Sequence, residues 1–275
     1  MEKKLFELKN VEYSYLGKFP GLEGINLKIN PAERVVILGA NGSGKSTLLY
    51  ILAGLIHPLH GSVEAFGRII DKDTFDDENF RRFFRSKVSL LFQNPEIQLF
   101  SPTVEEELYF GPQQLDLPLE RIEEEIEKIS ASLDIKKIFH RTPQQLSMGE
   151  KKKVAIASIL AINPEVLLLD EPTAGLDPRT ARELVDLIIE YHKLGKTVIT
   201  ATHDLHIVPE IADKIYILDE KKTIACSGNW QDILSNQQIL MKHNLLHIHK
   251  HQHKDSWHTH PHEHSNIRGA SGLDI

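Results

Sequence analysis

Residues 35–53 leave this chain little freedom of architecture. Val35-Val36-Ile37-Leu38 is apolar at every position, as expected of a strand buried on both faces. It runs straight into Gly39-Ala-Asn-Gly-Ser-Gly-Lys-Ser46, which fits G-x-x-x-x-G-K-[ST]. Lys45 to Ala53 then reads as a helix closed by Gly54. Glycines in such a loop let successive backbone N–H groups converge on phosphate oxygens, and the helix N-terminus adds its positive dipole end. Gly39, Ala40, Asn41, Gly42, Ser43, Gly44, Lys45, Ser46 and Thr47 are therefore the candidate nucleotide-binding residues. Lys45 is expected to pair with the β- and γ-phosphates, and Ser46 to place its hydroxyl on Mg²⁺. A chance Gly-rich turn would not sit between an apolar strand and a helix.

A second block, Leu146 to Pro178, narrows the chemistry. Ser147-Met-Gly149 opens a helix whose apolar residues Val154, Ile156, Ala157, Ile159 and Leu160 suit a core-facing side. Val166 to Leu169 reads as a buried strand ending in Asp170-Glu171. Asp170 is expected to hold the Mg²⁺ shell, and Glu171 to polarise an attacking water. Asp177 before Pro178 reads as an N-cap with proline in the first helical turn.

The rest of the pattern predicts an α/β fold. Strands are expected at roughly 4–13, 23–29, 34–38, 61–66 and 88–92. Residues 95–160 change character, with an acidic segment Val104 to Phe110 and a Glu-rich helix Leu119 to Leu133. From 165 onward strand and helix alternate: Thr197–Ala201 and Ile215–Leu218 as strands, Pro178–Leu194 and Leu205–Ala212 as helices. That rhythm implies a mostly parallel, helix-covered sheet. The expected organisation is one nucleotide-binding domain over 1–240, with a helical insert at about 95–160, and a flexible His-rich tail over 241–275.

Bulk properties exclude several classes. The net charge of −7 gives no basic footprint for nucleic acid. No apolar run approaches the ~18 residues of a membrane-spanning helix, and Met1-Glu-Lys-Lys lacks a signal-peptide core. Any membrane role is thus expected to come through a partner. Cys226 is alone, which suits a reducing compartment and reads as a small half-buried thiol.

Taken together, Gly39–Thr47 and Leu146–Pro178 resemble the ATP-binding subunits of ABC transporters, over about residues 4–235. The resemblance implies a P-loop NTPase core with N-terminal antiparallel strands and an inserted helical subdomain, using ATP and Mg²⁺. It implies that Glu171 is the general base and that His203, in Thr200-Ala-Thr-His203-Asp204, contacts the γ-phosphate. Gln93 would touch Mg²⁺ or the water and sense the partner. Tyr15 would stack on adenine, with Tyr13 as the competing candidate. Ser147 and Gly149 would complete the ATP site of the opposite subunit, and Asp177 would link the two sites. Leu146-Ser-Met-Gly-Glu150 departs from the family's LSGGQ at Met148 and Glu150. Glu150 adds negative charge near the phosphates. Lys151, Lys152 and Lys153 would offset it or simply form a solvated face.

Phe92 to Pro112 narrows the resemblance to the ATPases of energy-coupling-factor importers, notably the cobalt and nickel branch. That implies a homodimer, or a heterodimer with a homologous ATPase, held at the cytoplasmic face of the membrane. The implied membrane partners are a transmembrane coupling protein and a substrate-capture protein. The same branch includes vitamin importers.

Nine of the fifteen histidines fall between His243 and His264. His247, His249, His251 and His253 form one alternating run; His258, His260, His262 and His264 form another. Residues two apart in an extended chain share a face, and imidazole suits Ni, Co, Cu and Zn. Metal buffering or sensing, weakening below about pH 6.5, is one reading. An affinity tag or a solubilising tail is the other. Two rival classes stand beside the importer: a soluble ABC ATPase of repair or translation, and a metal-storage protein that binds ATP.

Overall fold

The computed structural model describes residues 4–253 and 256–263, with 247–253 and 256–263 described by backbone alone. Two sheets carry the architecture. β1 (Phe6–Tyr15), β2 (Phe19–Ile29), β4 (His60–Ala65) and β5 (Arg68–Ile69) form an antiparallel sheet in the order β2-β1-β4-β5. The second sheet runs β10 (Ile224–Asn229), β9 (Lys214–Leu218), β3 (Arg34–Leu38), β8 (Thr197–Thr202), β7 (Val166–Asp170) and β6 (Val88–Leu91). It is parallel except for β10 against β9. The P-loop NTPase core and the antiparallel sheet expected from sequence are both present.

Period-two alternation divides the core between the two faces of the parallel sheet. Val35 and Ile37 pack with Leu48, Leu49 and Ile51 of α1 (Lys45–Leu52) and with the antiparallel sheet. Val36 and Leu38 pack with Ile156 of α6 (Met148–Leu160) and with Leu184 and Ile188 of α7 (Pro178–Lys193). Covered on both sides, β6, β7 and β8 are buried at every position, so their apolar residues do not alternate with exposed ones.

Between β5 and β6 lie α2 (Lys72–Asp76) and α3 (Glu78–Lys87). The sequence reading assigned no element there. α3 buries only Phe80 and Phe84, four residues apart on one side of an otherwise charged helix. The insert comprises α4 (Val104–Gln114), α5 (Leu119–Leu133) and α6. α5 buries Ile122, Ile126, Ser130 and Leu133 and turns its glutamates outward. Glu107 of α4 is the inward exception: it is buried and accepts from the backbone N–H groups of Phe100 and Ser101 at 2.9 and 2.7 Å.

Two expectations are corrected. The helix expected over Leu205–Ala212 is a single turn, α8 (Val208–Ile211). The Asp204 carboxylate accepts from the His206 backbone N–H at 3.0 Å, closing a local turn that competes with helix. The chain also remains packed past residue 240. α9 (Trp230–Ser235) and α10 (Gln237–Lys242) follow β10, and Leu240, Leu245 and Leu246 join the main core. Their apolar surface overrides the polar composition around them. The backbone then forms a hairpin of β11 (Leu246–His253) and β12 (Ser256–Glu263). His264 lies outside the described residues. Among those described, no helix is long and apolar enough to cross a membrane.

Strand order decides where the site lies. β8 separates β3 from β7, and the register pairs Leu38 with Thr202 and Asp170 with Ala201. The carboxyl ends of three neighbouring strands therefore deliver the phosphate loop, the acidic pair and His203 to one edge. In open α/β sheets ligands bind at that edge.

Candidate functional site

The loop from Gly39 to Gly44 returns on itself so tightly that two glycines are sterically required. A Cβ on Gly39 would lie 2.4 Å from Ser43 Oγ and 2.7 Å from the Leu218 carbonyl oxygen. Gly44 sits at φ +105°, and a Cβ there would lie 2.5 Å from the Gly21 carbonyl oxygen. Lys45 folds back over the loop, its Nζ donating to the carbonyls of Gly39 at 2.8 Å and Ala40 at 3.3 Å. Burial lowers its pKa, and Glu171 opposes that shift. A ligand phosphate would give this ammonium a stronger acceptor than a carbonyl.

At the end of β7, Asp170 is 1% exposed and neither carboxylate oxygen has a hydrogen-bond partner. Burial pushes its carboxyl above the ordinary range, with Glu171 adding to that and Ser46, Lys45 and Lys152 pulling back. Glu171 follows at φ +46°, a left-handed conformation rarely held by a side chain of this size. The turn brings its carboxylate to the end of β8. Glu171 Oε1 lies 2.8 Å from His203 Nδ1 and 3.5 Å from Lys45 Nζ, while Oε2 accepts from Thr202 Oγ1 at 3.1 Å. Burial alone would raise the Glu171 pKa. The His203 bond, Lys45 and Thr202 outweigh it and hold the carboxyl below its usual range. The same bond raises His203 against the effect of burial. The result is an ionised, oriented carboxylate at the mouth of the loop.

Lys45, Asp170 and Glu171 line one cleft of about 360 Å³, together with Tyr15, Pro20, Gly21, Asn41, Gly42, Gly44, Ser46, Thr47, Gln93 and Lys222. His203 does not line it and connects to it through Glu171. Tyr15, and not Tyr13, reaches it. Tyr15 Oη and Thr47 Oγ1 are 3.0 Å apart, and Tyr13 braces the ring edge-on at a centroid distance of 5.0 Å. Ser147, Gly149 and Asp177 do not line this cleft. Ser147 instead caps α6: its Oγ accepts from the Glu150 N–H at 3.3 Å, and Glu150 Oε2 accepts from the Ser147 N–H at 2.8 Å. Glu150, 3.5 Å from Arg141, is thus part of a capping box. Asp177 caps α7 through the N–H groups of Arg179 and Thr180.

Two cations escaped the sequence reading. Lys222, in the β9–β10 turn, donates to the Gly42 carbonyl and lines the cleft. Only the register of β9 and β10 brings it there. Lys152 fits neither expectation for the lysine run, a counter-charge to Glu150 or a solvated face: it is 1% exposed and its Nζ donates to the Gln93 carbonyl at 2.7 Å. Burial pushes its pKa down to about 8. The helical period offered a signal: Lys152 is four residues before Ile156, on the side of α6 that faces the core. Lys152→Met keeps most of the packed volume but removes the donor that ties α6 to the Gln93 segment. We expect kcat for ATP to fall about tenfold with little change in KM, and Lys152→Arg to recover most of it. Steady-state kinetics over a range of ATP concentrations measures both values.

Among residues whose side chains are described, no group of three His, Cys, Asp or Glu could hold a metal ion. Cys226 is half-buried and burial raises its thiol pKa, in line with a structural thiol.

A phosphate loop, a buried acidic pair and a histidine on three neighbouring strand ends, beside an inserted helical subdomain, define a P-loop ATPase of the cassette type. Residues 22–174 match the ABC transporter family. The nickel import ATP-binding protein NikO of Rhodobacter capsulatus is 43% identical over 244 residues, covering 88% of this chain and 95% of that protein. The energy-coupling factor transporter ATP-binding protein EcfA of Methanothermobacter thermautotrophicus is 40% identical over 241 residues, covering 88% and 76%. Among solved structures, cbiO1 of Clostridium perfringens, part of the ABC transporter complex cbiONQ, superposes with a TM-score of 0.74 at 34% identity, covering 89% and 96%. A dimeric ATP-binding cassette bound to ADP and Pi gives a TM-score of 0.74 at 28% identity, covering 82% and 99%. The chain belongs to the ABC transporter family and is an ATP-binding subunit, an ATPase.

Proposed function

We propose that this ATPase energises import of nickel or cobalt through membrane partners, working as a dimer at the cytoplasmic face. The observation that carries the cargo is the likeness to the nickel import subunit over nearly the whole of both chains. The likeness to cbiO1 of the cbiONQ complex supports it. A vitamin importer is the second reading, favoured by the likeness to EcfA. The deciding experiment is uptake of radiolabelled Ni²⁺ and Co²⁺ by cells expressing the chain with its neighbouring membrane subunits. ATP-site-dependent accumulation of either metal supports the proposal. Normal vitamin uptake without metal accumulation overturns it.

Within the cleft, Tyr15 would stack on adenine, and the loop N–H groups with Lys45 would hold the phosphates. Mg²⁺ fits the chemistry of the site, because the buried Asp170 carboxylate has no partner of its own and Ser46 and Gln93 line the same cleft. When bound, with Ser46, Asp170 and Gln93 around it, it would neutralise charge on the β- and γ-phosphate oxygens. Glu171 would accept the proton of the attacking water. His203 would keep that carboxylate aimed and reach the γ-phosphate with its other nitrogen. Ser147 and Gly149, remote from this cleft, would serve the γ-phosphate of the second subunit, and Asp177 would join the two sites. Coupling to the membrane would pass through the insert. There Ile97, Phe100 and Phe110 are exposed, and Phe100 and Phe110 meet edge-on at 4.7 Å beside a groove floored by Pro102 and Tyr109. This apolar surface, a few residues beyond Gln93, suits a cytoplasmic segment of the transmembrane coupling protein.

A further inference from the structure

The hairpin of β11 and β12 sets its histidines in register. His247 faces His262, His249 faces His260, and His251 faces His258. Facing residues of an antiparallel pair share a face of the ribbon, as do residues two apart along a strand. Six histidines therefore occupy one face at three successive register positions, with His253 opposite Ser256 as the next rung. The other face takes Ile248 with Pro261, Lys250 with Thr259, and Gln252 with Trp257. A slip of one residue would send one strand's histidines to the wrong face, so the double row depends on this particular pairing.

The hairpin is also anchored. β11 starts at Leu246, and Leu245 and Leu246 are 1% and 7% exposed within the main core. Just before them, Asn244 Nδ2 donates to Glu220 Oε1 at 2.6 Å in the β9–β10 turn. The first rung thus stands within a residue of the ATPase body.

Facing Cα atoms in such a ladder are about 4.5–5.5 Å apart, and successive same-face positions about 7 Å. Two imidazole nitrogens bound to one ion at about 2.0–2.1 Å each stand close to 3.3 Å apart. Facing positions are the closest that the register offers, and two adjacent same-face rungs bring four histidines together. An all-imidazole donor set suits first-row divalent transition metals and is poor for Mg²⁺ or Ca²⁺, which take oxygen ligands.

We propose that the histidine face of this hairpin binds a divalent first-row transition-metal ion, because the register sets His249 opposite His260 and, on the next same-face rung, His251 opposite His258. The site goes beyond the transport reading and does not depend on it, since it needs neither ATP nor a membrane partner.

The test is calorimetric titration of the full chain with Ni²⁺ alone, and absorption spectra with Co²⁺ to report the donor set. His249→Ala and His260→Ala, on opposite strands, are each expected to weaken Ni²⁺ at least tenfold and to change the Co²⁺ spectrum alike. The double variant should be little worse than either, because both residues serve one ion. Lys250→Ala, on the opposite face, should keep the original affinity and so controls for damage to the hairpin. Additive losses, or undiminished affinity when His258, His260 and His262 are all replaced, would mean single-strand binding and overturn the proposal. So would absence of Ni²⁺ binding by the full chain. Binding here without metal uptake leaves this site standing and removes the cargo assignment; uptake without binding does the reverse.

Discussion

Glu171→Gln is expected to lower ATP turnover about 10²- to 10⁴-fold while ATP still binds, the range spanned by loss of a positioned general base. The substitution is nearly isosteric. The amide oxygen that replaces the carboxylate would still accept from Thr202 Oγ1 or His203 Nδ1, which lie 3.1 and 2.8 Å from the Glu171 carboxylate. It would not take a proton from water. The φ of +46° is met by either side chain, so the strained turn should survive. Loss of the buried negative charge removes the partner that raises His203, and the histidine should then titrate lower than in the parent protein. The measurements are phosphate release at saturating ATP, nucleotide affinity by filter binding, and association state with ATP by size exclusion. Trapping as an ATP-bound dimer is the expected signature. Parent-like turnover would remove Glu171 as the base and leave His203 or Asp170 to be tested next.

Much of this cleft was legible because its parts are local in sequence. A strand, a loop and a helix N-terminus are consecutive over residues 34–52, so spacing alone fixes their geometry. Asp170 and Glu171 are adjacent at the end of one apolar run, so a single strand delivers both to the cleft. The unread parts depend on distant segments meeting. Lys222 reaches Gly42 across 180 residues of sequence, and Lys152 reaches Gln93 across 59. Lys152 was hidden by its neighbours, since Lys151 pairs with Glu96 and Lys153 with Glu183 at the protein surface while Lys152 turns inward. Composition misled at the C-terminal end. Histidine dominates there, but Leu240, Leu245 and Leu246 are enough to dock the start of the segment on the core. The short α3 went unread because two buried phenylalanines in ten residues make a weak period.

Mixing two inactive variants tests the division of labour between the cleft and the start of α6. Lys45→Ala removes the cation of the phosphate loop, and Ser147→Arg fills the space before the α6 N-terminus. Each alone is expected to lose turnover about 10²- to 10³-fold, the usual cost of removing one phosphate-stabilising group. If Ser147 serves the partner's nucleotide, the mixed dimer contains one intact composite site: Lys45 from the Ser147→Arg chain with Ser147 from the Lys45→Ala chain. Random pairing then makes half the dimers mixed, with one of two sites intact, so activity should recover to about one quarter of the parent value. Ser147 also caps α6 through the Glu150 N–H, so Ser147→Arg carries a folding cost of about 0.5–2 kcal/mol. Ser147→Thr, which keeps a capping hydroxyl, should fold and turn over close to the parent and separates the two effects. Full turnover by either inactive parent alone, or a mixture no more active than its components, would place Ser147 outside the shared site. Ser147 is exposed and lines no part of its own chain's cleft, and a trans role makes use of both facts. The same geometry gives Glu150 a reason to differ from glutamine. Its carboxylate is held at the cap by the Ser147 N–H and side chain and by Arg141, which stabilise its charge and keep its pKa below the usual range.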